Sequence, residues 1–217
     1  MGEEELISDK KLQSDSVTVG ATETALYGLL LPILKKFHTE YPNVKLKIGN
    51  YTVKEALAAL TEGIVDLAVV TSPFNLNNKL AATTLKTFHE VAVCGADFSE
   101  LTSAPVSLQT LCGYPMVGLA RNTVTFEFYA SRFSDYGLKY NPDIEVATAD
   151  QLLPIIKNNL CIGFVPEFFL QDDNSVFKIN TVEPIAQRSV CLVKRVNAQL
   201  GLAAKKLEKE ILNQTIT

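Results

Sequence analysis

Val17 to Val70, VTVGATETALYGLLLPILKKFHTEYPNVKLKIGNYTVKEALAALTEGIVDLAVV, switches between the two hydrophobic periods whose order decides the fold. Val17 to Ala21 reads as a short apolar strand. Apolar residues then recur at Leu26, Leu29, Leu30, Ile33, Leu34 and Phe37, the stripe of an amphipathic helix. Pro42 stops that helix just before a strand over Val44 to Gly49. Thr52-Val53-Lys54-Glu55 is a capping box opening a second helix, with Val53, Ala56, Leu57, Leu60 and Ile64 on one face and its break at Gly63. Asp66 to Val70, apolar on both faces, is expected as a central parallel strand. The stretch is a β-α-β-α-β unit.

The same unit is written a second time. Pro115 to Ala120 reads as a strand, and Phe126, Tyr129, Ala130 and Phe133 follow in helical register up to Gly137. Ile144 to Ala147 is the next strand, and Leu152, Ile155 and Ile156 mark a helix. Cys161 to Val165 closes the unit, with Pro166 just past it. Thr148-Ala149-Asp150-Gln151 repeats the capping box at the matching topological place. Ser72 to Thr84 reads as an Asn-rich loop between the copies, followed by a strand over Phe88 to Cys94. Strands at Val176 to Ile179 and Ser189 to Lys194 and a helix over Ala198 to Leu212 end the chain. The expected division is a linker remnant at 1–16, one lobe from 17–87 with 189–217, and a second lobe at 88–188. The fold class is α/β, two Rossmann-like lobes with a hinge. Strand carboxyl ends and helix amino ends then gather at a shared cleft, the place where open parallel sheets bind small molecules.

Composition narrows the function. The 217 residues are 47% hydrophobic, which excludes bulk disorder, and Lys+Arg 20 against Asp+Glu 24 gives a formal charge of −4. A chain so balanced is expected to grip neither nucleic acid by itself nor a membrane. The acidic opening MGEEELISDKKLQSD resembles no secretory signal or presequence. Cys94, Cys112, Cys161 and Cys191 stand singly, as free buried thiols of a reducing cytosol do. His38 and His89 are isolated, and no GxSxG, HExxH, GxGxxG or phosphate-loop pattern occurs. The expectation is binding without catalysis, with no metal and no cofactor.

Three segments carry a family resemblance. Val17–Gly20 leads through Leu30-Leu31-Pro32 to Phe37 and Tyr41-Pro42; Ala56 to Val70 carries the form LxxLxxGxxDLAV through Leu57, Leu60, Gly63, Asp66, Leu67 and Ala68; Asn159 to Pro166 reads NLCIGFVP. In this order and spacing they resemble the effector-binding domain of LysR-type transcriptional regulators, over residues 17–212. The resemblance implies a type II periplasmic-binding-protein-like fold and a cytoplasmic sensor of a small effector. It also implies a homodimer or tetramer that touches DNA only through an N-terminal helix-turn-helix not present in this sequence. The rival reading is a solute-binding receptor of a transport system with the same fold, whose oxidising compartment suits four unpaired cysteines poorly. A prephenate dehydratase-like enzyme would need Thr-Arg-Phe where this chain has Thr125-Phe126.

Candidate effector contacts follow from the turns and the resemblance together. Thr22 and Thr24 in the first lobe, and Asn122 and Thr123 in the second, offer hydroxyls and an amide where the first helix of each lobe starts. Thr52 and Thr148 open the second helices, with capping their first duty. Tyr51 stands where the family often has Gly, so its ring either narrows the pocket or stacks on a ligand; Pro166 lies in the apolar run Phe164 to Phe169. Arg121 either clamps a carboxylate or is solvated, and Glu23 is expected to turn away from an anion. Helix amino ends favour a small anion, so the expected effector is a carboxylate. Tyr27, Leu31, Leu46 and Ile48 make an apolar face expected to meet a second copy.

Overall fold

The computed structural model of the protein describes residues 15–170 and 175–213. All but the last two residues of the expected linker remnant lie outside them. The chain divides into two compact units, the first holding residues up to Lys86 and from Ser189 onward, the second Thr87 to Arg188.

In the first unit, strand β1 (Ser16–Ala21) leads into helix α1. That helix begins as Glu23–Ala25, passes through a π turn at Leu26–Leu30 and continues as Leu31–Glu40. It buries Leu30, Ile33, Leu34 and Phe37, as the periodicity predicts. Strand β2 (Lys45–Asn50) and helix α2 (Val53–Thr61) come next, and Gly63 adopts φ +76° after the helix, a backbone that side chains with a Cβ rarely accept. Strand β3 (Leu67–Thr71) is buried along its whole length. Its central place is as expected, but it is parallel only to β1.

Two readings of the connecting stretch need correction. Strand β4 (Leu80–Phe88) starts inside the expected Asn-rich loop, because Leu80, Leu85 and Phe88 bury while the Thr-rich positions between them stay exposed. The expected strand over Phe88 to Cys94 is interrupted at His89, and β5 runs Glu90–Cys94. Periodicity also missed a 3₁₀ segment at Ala96–Thr102 and the single helical turn α3 (Leu108–Leu111), both too short to show a stripe.

The second unit continues with β6 (Met116–Leu119), α4 (Val124–Ser134), β7 (Ile144–Val146), α5 (Leu152–Lys157), β8 (Ile162–Pro166) and β9 (Phe177–Ile179). Strand β10 (Arg188–Arg195) then takes the chain back into the first unit, followed by α6 (Leu202–Asn213). The strand orders are β2-β1-β3-β10-β4 and β7-β6-β8-β5-β9. In each sheet three strands run parallel and a fourth pairs antiparallel with the third: β10 with β3, and β5 with β8. The two sheets are therefore one topology used twice. In the second unit, Tyr129, Phe133, Tyr140 and Phe164 form an aromatic core on one face of the sheet, with ring centroids 5.1 to 5.8 Å apart. Val117, Leu152, Ile156 and Val165 pack in a separate cluster.

Candidate functional site

Three parallel strands put their carboxyl ends on one edge of each sheet, and that edge gathers most of the candidate residues. In the first unit Ala21 pairs in register with Asn50. Thr22, 8% exposed, is the N-cap of α1: its Oγ1 accepts from the Ala25 N–H at 3.3 Å and its own N–H donates to the Val69 carbonyl at 3.1 Å. Thr24 is buried in the first turn of the same helix. Glu23 Oε1 accepts from Asn50 Nδ2 at 2.7 Å, which places a carboxylate at the end of β2. At α2 the capping box is complete. The Glu55 N–H donates to Thr52 Oγ1 at 3.3 Å, and the Thr52 N–H donates to Glu55 Oε2 at 2.9 Å. The Thr52 N–H and the Thr52 hydroxyl, which donates to the same Oε2 at 2.8 Å, hold the Glu55 carboxyl below its ordinary pKa.

Tyr51 follows directly. Its N–H donates to the Ala21 carbonyl at 3.0 Å, and its ring lies over Gly20 and Gly49, which face each other in register on β1 and β2. A Cβ at Gly49 would collide with the ring. The two glycines make a flat seat, so the ring is fixed against its own sheet.

In the second unit Thr123, 5% exposed, caps α4, accepting from the Phe126 N–H at 3.1 Å and donating to the Ala120 carbonyl at 2.7 Å. Asn122 is exposed beside it. Arg121 is already engaged: Nε donates to Glu145 at 2.7 Å, Nη2 donates to Asn141 at 2.9 Å, and the guanidinium sits 5.5 Å from the centre of the Phe126 ring. Thr148 differs from its sequence reading. It makes no side-chain cap bond, because the chain enters α5 through a tight 3₁₀ turn, Ala149–Gln151. Gln151 Oε1 instead accepts from the Ala147 N–H at 3.1 Å, one residue early. Pro166 is buried and pairs in register with Glu90.

That pairing exposes a cluster which sequence reading missed. Glu90 and Arg188 form an ion pair of 2.7 Å with both side chains 2% exposed. Arg188 Nη2 also donates to Thr125 Oγ1 at 3.0 Å, in the first turn of α4. Its guanidinium carbon lies 5.1 Å from the Phe128 ring centre and 5.9 Å from that of Phe88. Glu90 Oε2 and the Tyr129 hydroxyl are buried without a hydrogen-bond partner among the described residues. Burial, with the Glu90 charge adding to it, pushes the Tyr129 hydroxyl well above the ordinary tyrosine pKa. The one signal in the sequence was a charged residue standing in each of two apolar strand starts, Glu90 and Arg188; nothing local joins residues 98 positions apart.

Cys94, Cys161 and Cys191 are buried, but Cys112 is exposed, which corrects the reading of four buried thiols. Burial raises the Cys94 and Cys161 thiols to about 11. Among the described residues no group of His, Cys, Asp and Glu is placed to hold a metal, and no helix is long and apolar enough to cross a membrane.

Residues 10–215 match the LysR substrate binding domain family. An uncharacterized HTH-type transcriptional regulator of Escherichia coli (strain K12), YbhD, is 24% identical over 203 residues, covering 91% of this chain and 62% of that relative. The chain thus spans less than two thirds of that relative's length. Two solved structures share the fold: the effector binding domain of QuiR in complex with shikimate (TM-score 0.81, 14% identity, 93% of this chain and 97% of that one); and the Synechocystis PCC6803 CcmR regulatory domain in complex with 2-PG (TM-score 0.82, 13% identity, 93% and 97%). The two repeated sheets accordingly have the architecture of the two-lobed, type II periplasmic-binding-protein-like class. With the family matched across nearly its whole length, the chain belongs to the LysR substrate binding domain family.

Proposed function

We propose that this chain is the effector-sensing part of a LysR-type transcriptional regulator. It binds a small metabolite anion, a carboxylate by class, at the carboxyl ends of its parallel strands. The observation that carries the reading is the repetition of one device. Thr22 and Thr123, both buried, cap the helix after the first strand of each repeat, with the hydroxyl on the third N–H and the dipole's positive end at the same place. Thr24, Tyr51, Thr52, Asn122, Thr148 and Pro166 surround those two positions in sequence and topology and are the further contacts proposed. The domain is non-catalytic and cytoplasmic, and it acts on DNA through the helix-turn-helix of the whole regulator. The regulators among its relatives, and the shikimate and 2-PG complexes of its structural neighbours, support the reading.

Titration of a metabolite panel, with Thr22→Val and Thr123→Val alongside, tests it. A best ligand that is neutral or cationic, or one indifferent to both substitutions, refutes it. Homodimerisation belongs to the same proposal. Tyr27 and Leu31 are 55% and 45% exposed on α1, beside the edge strand β2, where Ile48 is also exposed. Sedimentation that finds only monomer at micromolar concentration, or the same assembly in a Tyr27→Glu/Leu31→Glu variant, excludes that face as the contact.

A further inference from the structure

We infer that the second unit carries another small-ligand site, at the amino ends of its parallel strands, with the chemistry of a free apolar α-amino acid. A cavity of about 340 Å³ lies there, lined by Cys112, Met116, Phe133, Lys139, Asn141 and Asp143 among others. Met116 opens β6 and Asp143 immediately precedes β7. Because β6, β7 and β8 are parallel, this is the opposite edge of the sheet from Thr123, Thr148 and Pro166. The volume falls at the small end of ligand pockets, roughly 300 to 1,000 Å³.

The walls select a zwitterion. Lys139 is exposed, and its ammonium has no hydrogen-bond or ion-pair partner among the described residues. Asn141 Oδ1 is taken by Arg121, which leaves the amide N–H groups as donors. Asp143 is held by the Met116 N–H, which donates to Oδ2 at 2.9 Å, so a carboxylate is fixed in the same wall. A simple carboxylate gains Lys139 and Asn141 but meets the charge of Asp143; a simple amine meets Lys139. A molecule with both charges on one carbon answers both groups. Tyr114, half-buried, and Pro115, exposed, also line the cavity and supply apolar surface for its side chain.

Cys112 provides the readout, since it lines the cavity and is exposed while the other three thiols are buried. The rate at which N-ethylmaleimide modifies Cys112 is followed by peptide mass at near-neutral pH, with L-leucine, L-methionine or L-phenylalanine present. The one-charge analogues 4-methylpentanoate and isoamylamine serve as controls. With ligand at about ten times its Kd, at least one amino acid slows the reaction about tenfold. Neither analogue does so at equal concentration, and protection disappears in Lys139→Met and in Asp143→Asn. The second variant keeps an oxygen for the Met116 N–H, so it retains the fold. Protection persists in Thr123→Val, which separates this site from the effector site. Absence of protection by all three amino acids at about 10 mM, ten times the Kd of a millimolar binder, overturns the inference. Equal protection by an analogue, survival of protection in Lys139→Met, or its loss in Thr123→Val does so as well.

Discussion

The two sheets have the same strand order, yet the edges where their parallel strands end are finished differently. In the first unit the helix amino ends carry their own anions: Glu23 bridges to Asn50 beside α1, and Glu55 closes the capping box of α2. In the second, Thr148 leaves α5 without a side-chain cap, acids also stand in the first turns (Glu127 in α4, Asp150 before α5), and a buried cation, Arg188, binds Thr125 at the start of α4. A repeated fold thus puts two helix amino ends on each edge, but the charges beside the first of them differ: Glu23 adjoins Thr22, whereas near Thr123 a buried Arg188 is paired with Glu90. Under the proposed function, the neighbouring Glu23 makes Thr22 the weaker anion contact of the two caps.

The largest expected effect tests the cation that makes the difference. Arg188→Met leaves Glu90 buried and uncompensated, and the loss of one partner of such a pair costs about 3 to 5 kcal/mol of stability. The double variant Glu90→Gln/Arg188→Met recovers much of that. Denaturant unfolding of the four proteins of the cycle measures it, and a cost below about 1 kcal/mol would mean the pair is as weak as a surface one.

The asymmetry next predicts unequal effector sites. Deleting the Thr123 hydroxyl from a hydrogen bond to a charged ligand costs about 1.5 to 3 kcal/mol, or about tenfold to a hundredfold in Kd. Thr22→Val, next to Glu23, costs less. Equal losses would show that Glu23 leaves the field at α1 unchanged. Unfolding midpoints taken in parallel separate lost contact from lost cap.

Alkaline pH distinguishes the units in another way. Burial raises Cys94, Cys161, Tyr129 and Tyr140, all in the second unit, the two thiols to about 11 and the two tyrosines well above their ordinary value, whereas in the first unit it raises the Cys191 thiol. A group with a raised folded pKa contributes stability that is complete below its unfolded value and lost as pH rises through the folded one. Stability therefore begins to fall above about pH 9, from the thiols, and falls further above about pH 10, from the tyrosines. Amide exchange between pH 8 and 11, corrected for intrinsic rate, should show the second sheet opening first. If the first sheet opens first, the burial of these groups does not govern alkaline stability.

The smallest effects concern the two capping sequences. Thr52→Ala removes a formed box and costs about 1 kcal/mol. Thr148→Ala removes a hydroxyl that caps nothing, so its unfolding midpoint stays close to that of the parent protein.

These contrasts mark where sequence was sufficient. The two β-α-β-α-β units, the caps at Thr22, Thr52 and Thr123, and the stops at Gly63 and Gly137 were legible because each depends on residues within one or two turns of each other. Hydrophobic period and hydroxyl position encode such interactions directly. Thr148 shows the limit: the motif is intact, but the entry into α5 tightened to a 3₁₀ turn and moved the glutamine's bond by one residue. Tertiary structure alone decided the Glu90–Arg188 pair, the glycine seat beneath Tyr51, strand β4 and the cavity beside Cys112. Each needs groups from separate strands brought within a few ångströms, and burial then decides what they do. An acid and a base far apart in sequence carry no mark of each other until the sheet removes them both from water.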